Sequence, residues 1–118
     1  MVQMIRVKRI YEQVSKEDGH RVLVDRLWPR GMTKDHAKID LWLKDIAPSD
    51  DLRKWFSHDP KKWNDFKKKY RLELRKKPEL ILKLKQAEKE KGTVTLLYSA
   101  KDEKHNQAIA LNEILQET

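Results

Sequence analysis

The chain has 118 residues, room for one domain with a modest core. Its hydrophobic share is 38% against 39% charged, and no apolar run approaches the roughly 20 residues of a membrane span. There is no cysteine, which excludes a disulfide framework and a thiolate nucleophile and suits a reducing compartment.

The first residues, MVQMIRVKRIYEQ, contain no apolar stretch of signal-peptide type, so a cytoplasmic protein without targeting or membrane contact is expected. The net charge of +8 is unevenly placed. Between Pro60 and Lys91 there are 13 Lys+Arg and 5 Asp+Glu, a net of +8; elsewhere each sign occurs 14 times.

In chain order, MIRVKRI (4–10) reads as a strand with one wet face, followed by a polar turn that ends at Gly19. RVLVDRL (21–27) has three consecutive apolar residues, Val22 to Val24, the mark of a strand covered on both faces. Ile39, Leu41 and Leu43 alternate, which predicts a short strand closed by Pro48. Ser49 is placed as an N-cap, with Asp50 and Asp51 in the first turn of a helix running to about Phe56. Asp59-Pro60 signals a second helix start, after which Trp63, Phe66, Tyr70 and Leu74 share one face. Pro78 restarts the helix, Leu80, Ile81, Leu84 and Ala87 line it, and Gly92 ends it. TVTLLYS (93–99) is a further strand of the buried kind, and a last helix spans 106–116 with Ala108, Leu111 and Leu115 inward.

This order predicts one α/β domain over residues 1–118. About four strands form a mainly parallel or mixed sheet, with helices packed on it and a helical segment before the last strand.

Ligands in open α/β sheets bind beyond the carboxyl ends of strands. The two most apolar strands both end in costly polar residues: Asp25, Arg26, Trp28, Arg30 and Gly31 after the first; Tyr98, Ser99, Lys101 and Asn106 at the second. If the strands are neighbours these sets converge. Arginine forks suit a carboxylate or phosphate and aromatic rings supply flat walls, so the combination predicts a pocket for a small anionic ligand. In it Arg26, Arg30 and Arg53 would read charge, Trp28 and Tyr98 would form walls, and Ser99, Lys101 and Asn106 would meet ligand oxygens. Asp25 is the one candidate general base, and Asp45 a further candidate member. The alternatives are structural: an ion-paired Asp25 or Arg26, a Trp28 that caps the core, a Tyr98 that belongs to the core, and Asp50 and Asp51 that serve the helix start.

No metal or cofactor is predicted. His20, His36, His58 and His105 lack metal-site spacing, and neither GxGxxG nor GxxxxGK[ST] occurs. His58-Asp59-Pro60 reads as helix punctuation, with a catalytic His58 as the sharper alternative. A second reading of function, from a different class, is nucleic-acid binding through the basic segment 60–91, above all Lys67, Lys68, Lys69 and Arg71. Its competitor is a solvated helix face that keeps a small protein soluble.

VLVDRLWPRG, WLKDIAPSDDLRKWFSHDPKKWNDFKKKYRLEL and VTLLYSAKDEKHNQAIAL, in this order, resemble the YeaO-like family of small bacterial and archaeal proteins, a domain of unknown function. The resemblance covers nearly the whole chain. It implies an α/β fold with a helical insertion before the last strand, and it implies no reaction. The wider superfamily is similar at the last strand but carries Leu-Leu-Cys and Cys-His-Arg there; this chain has Tyr98 and His105-Asn106-Gln107 instead.

Overall fold

The central strands of the sheet are the two most apolar ones. In the computed structural model, which describes residues 3–117, strands β1 (Met4–Arg9), β2 (His20–Leu23), β3 (Leu41–Trp42) and β4 (Thr93–Tyr98) form one parallel sheet of order β1-β4-β2-β3. His20 to Leu23 run beside Val94 to Leu97, so the carboxyl ends of β2 and β4 lie next to each other. The helices are α1 (Lys34–Ala37), α2 (Asp50–Phe56), α3 (Trp63–Leu74), α4 (Pro78–Lys91) and α5 (Gln107–Gln116). The result is an α/β domain with a three-helix segment before the last strand, as the sequence predicts.

Strand alternation sorts the sheet into two faces. Ile5, Val22, Val94, Leu96 and Tyr98 join the main core, where Phe66, Tyr70, Leu74, Leu84, Leu111 and Leu115 cover them. Leu23, Leu97 and Ile10 face the other way onto Ala37, with Trp28, Met32, Ile39 and Trp42 packed around them. That second face is covered by the short α1 and by the 3-10 turn Lys16–Asp18, and part of it is polar. Asp18, 1% exposed, lies 3.0 Å from Lys8 and 2.5 Å from Arg21. The Thr95 hydroxyl donates to the Asp18 carbonyl at 2.6 Å. Burial alone would push the Asp18 carboxyl up, but the Ser15 amide, Lys8 and Arg21 together hold it below the ordinary aspartate range. Gly19 stands next to it at φ +64, and a Cβ there would meet the Thr93 carbonyl oxygen at 2.4 Å. Only glycine fits this close approach of β2 to β4.

The cap signals act as read. Ser49 accepts from the Leu52 amide at 3.1 Å and donates its hydroxyl to Glu73 at 2.5 Å, tying α2 to α3. Asp59 accepts from the Lys61 amide at 3.0 Å, and the turn it opens, Pro60–Lys62, leads directly into α3.

Four expectations need correction. β2 ends at Leu23 and not at residue 27, because the chain leaves the sheet at Val24, whose amide makes a last bond to the Leu97 carbonyl at 3.0 Å. The strand expected at 39–43 keeps only Leu41–Trp42. A short helix, α1, forms where none was expected, capped by the Thr33 hydroxyl accepting from the His36 amide. Trp63 packs against the core only partly buried, whereas Phe66 and Tyr70 are 2% and 0% exposed.

Candidate functional site

A cavity of about 420 Å³ opens beyond the carboxyl ends of β2 and β4. The early exit of β2 creates it. Released from the sheet, Asp25 to Arg30 form one wall, while Ser99, Ala100, Asn106 and Gln107 at the end of β4 and the start of α5 form another. Ala47, Pro48, Arg53, Phe56, His58 and Phe66 close it from the side of the helical segment.

Asp25 sits at the junction, 7% exposed. Its Oδ2 accepts the Ser99 amide at 3.0 Å, and its Oδ1 accepts the side-chain amide of Gln107. Among the described residues it has no cationic partner. Burial pushes its carboxyl above the usual aspartate range, with the Ser99 and Gln107 donors opposing that shift.

Three arginines line the same cavity. The Arg26 guanidinium donates to the Pro48 carbonyl at 3.3 Å and the Ala47 carbonyl at 3.4 Å, an arrangement that fixes the side chain. Arg53 lies 3.4 Å from the Asp50 carboxylate, which is also 3.8 Å from Arg26. The Arg30 side chain is exposed and has no partner among the described residues, while its carbonyl accepts the Tyr11 hydroxyl at 2.8 Å. Trp28 is anchored by an indole N–H bond to the Met32 carbonyl at 2.6 Å and by edge contact with Trp42, which leaves it on the lining.

Thus Asp25, Arg26, Trp28, Arg30, Arg53, Ser99 and Asn106 come together. Tyr98, Gly31, Lys101 and Asp45 are not on the lining. Tyr98 is the last residue of β4 and points into the core, 3% exposed, where burial raises its phenol. Gly31 takes φ +76 in an open turn. Lys101 is exposed outside the cavity, and Asp45 is exposed in a turn where its carbonyl accepts the Lys77 ammonium at 2.6 Å. Asn106 serves α5 as its N-cap, accepting from the Ile109 amide at 3.0 Å. Its other end donates to the Asp102 carbonyl at 2.9 Å, so its side chain is committed to structure.

Gln107 and Tyr11, which no motif singles out, also line the cavity, as does His58, which reads in the sequence mainly as helix punctuation. Gln107 follows the N-cap directly, and that position was the signal available for it. His58 lines the cavity in the left-handed region at φ 56, directly after Ser57 at φ 45. Two consecutive non-glycine residues there are unusual.

The basic segment is built differently. Lys67 pairs with Glu113 at 3.2 Å, Arg71 with Glu117, and Lys69 lies 4.8 Å over the Trp55 ring; Lys68 is exposed without a partner among the described residues. Acids in α5 and at its C-cap therefore compensate two of the four cations in place. Among the described residues no cluster of three His, Cys, Asp or Glu side chains could hold a metal ion, and no helix is long and apolar enough to cross a membrane.

Residues 4–118 match the family model described as the inactive DUF488-N3 subclade. The chain belongs to that family. The chain is 40% identical over 112 residues to the uncharacterised protein YeaO of Escherichia coli, a match that covers 95% of this chain and 96% of YeaO. It is also 47% identical over 70 residues to the uncharacterised protein Rv3073c of Mycobacterium tuberculosis, covering 59% of each chain. No solved structure matches. The YeaO-like resemblance read from the three motifs is thereby shown.

Proposed function

We propose that this protein is a binding module for a small phosphate- or carboxylate-bearing molecule, held in the cavity beyond β2 and β4. The observation that carries the reading is the convergence of Arg26, Arg30 and Arg53 on one cavity whose one acidic lining residue, Asp25, is turned to Ser99 and Gln107 and pairs with none of them. Cations gathered around a cavity and left without full counter-charge favour an anion there. Trp28, Phe56, Phe66 and Pro48 give the same cavity an apolar wall, and its volume suits a small organic ligand.

A binder fits better than an enzyme. Both oxygens of Asp25 already accept bonds that hold β4 and α5, so the one candidate base has a structural occupation. The description of the family as inactive supports the same choice.

A thermal-shift series tests this. Sulfate, phosphate and phosphorylated small molecules should raise Tm relative to chloride at matched ionic strength. A ligand at 100 times its Kd stabilises by about 2.7 kcal/mol, a shift of several degrees. Arg30→Ala should keep the unliganded Tm and lose the shift. No stabilisation by any of these anions, or an undiminished shift in Arg30→Ala, would refute the site.

A further inference from the structure

Asp50 occupies an unexpected place for a residue at a helix start. One of its oxygens, Oδ1, lies 3.4 Å from Arg53 Nη2 and 3.8 Å from Arg26 Nε, between two arginines that line the cavity. Neither contact is a strong bond. Arg26 Nε already donates to the Pro48 carbonyl at 3.3 Å, and the Asp50 side chain is 59% exposed. Its second oxygen has no partner among the described residues. Nor does α2 depend on it, since Ser49 caps the helix and Asp51 places a second carboxylate in the same first turn.

Resting on the anion-binding reading above, we propose that Asp50 is a resident counter-ion of the site: an incoming oxyanion takes Arg26 and Arg53 from it, and Asp50 thereby sets how tightly an anion must interact to be held. In the free protein its carboxylate partly neutralises the two arginines from the solvent side. A ligand oxyanion that enters between them does the same from the cavity side, and the two negative groups cannot share the pair without repulsion. Binding therefore releases Asp50 to water. The cost of release is the same for every ligand, so it weighs most against simple anions that offer nothing but charge. Ligands with a body that also fills the wall beside Trp28 and Phe56 recover it. Asp50 thus sets a common affinity threshold, which ligands with such a body clear more easily than bare inorganic ions do.

Calorimetric titration of inorganic phosphate into wild type, Asp50→Asn, Asp50→Ser and Asp51→Asn, at one ionic strength, tests this. Losing an exposed ion-pair competitor should tighten phosphate binding roughly two- to fivefold in both Asp50 variants. Asp51→Asn removes the same charge from the same turn, without an arginine contact, and should change affinity far less. Equal gains in Asp50→Asn and Asp51→Asn would mean a general field effect and overturn the proposal. Unchanged or weaker binding in both Asp50 variants, with wild type binding phosphate, would overturn it while leaving the pocket intact. If neither wild type nor the Asp50 variants bind phosphate, the pocket reading fails and this proposal fails with it.

Discussion

The Ser99 amide donates to the Asp25 carboxylate across 3.0 Å, joining the segment that follows β2 to the segment that follows β4. Gln107 donates to the other carboxylate oxygen, so one buried side chain ties together two strand ends and the start of α5. Both segments go on to line the cavity beside this junction.

Asp25 should have a visible pH signature. Its folded pKa is raised by burial, so the folded protein holds that proton to higher pH than the unfolded chain does. Its contribution to stability is therefore highest below the unfolded pKa and declines as pH rises through the raised folded value. Urea unfolding of wild type and Asp25→Asn across mildly acid to neutral pH should show wild type losing stability relative to the variant as pH rises. A difference that is flat with pH would contradict the assignment.

Asp18 should behave in the opposite sense. Its folded pKa is lowered, so its stabilisation is present above the unfolded pKa and is lost as pH falls through the folded value. Asp18→Asn leaves Arg21, 4% exposed, without its carboxylate. Breaking a buried pair in this way costs about 3–5 kcal/mol. Chemical denaturation at neutral pH measures the loss, and the gap between wild type and variant should narrow in acid.

The aromatic cluster of the helical segment should divide by burial. Phe66 stacks on Phe56 with centroids 4.3 Å apart and is 2% exposed, so Phe66→Ala should cost about 3–5 kcal/mol. Trp63, which the sequence placed with the core, is half-buried against His105 and below Lys67, and Trp63→Ala should cost clearly less. Denaturant midpoints of the two variants compare them directly.

Period and punctuation made most of the fold legible. β4 and β2 read as doubly covered and are central, and Ser49, Asp59, Pro60, Pro78 and Gly92 mark helix boundaries where expected. What stayed hidden depends on tertiary geometry. Nothing local says that β2 stops at Leu23, since Val24 and Asp25 continue an apolar-polar run; only the divergence from β4 ends it. Tyr98 at a strand end reads as either pocket wall or core, and strand parity turns it to the core with Leu96 and Val94. Gln107 and His58 enter the cavity from elements distant in sequence, and their roles emerge only when those elements meet. The charge of 60–91 is plain in composition, but its compensation by Glu113 and Glu117 comes from the last helix and the residue that caps it, beyond the next strand.

The most direct test of the central claim is where an anion lands. An amide-resolved NMR titration of the uniformly labelled protein with phosphate, at fixed ionic strength, reports this residue by residue. The account predicts saturable shifts concentrated at Arg26, Trp28, Arg30, Arg53, Ser99, Ala100 and Gln107, and their loss in Arg30→Ala. Shifts concentrated instead at Lys67, Lys68, Lys69 and Arg71, or no saturable shift at the cavity, would contradict it.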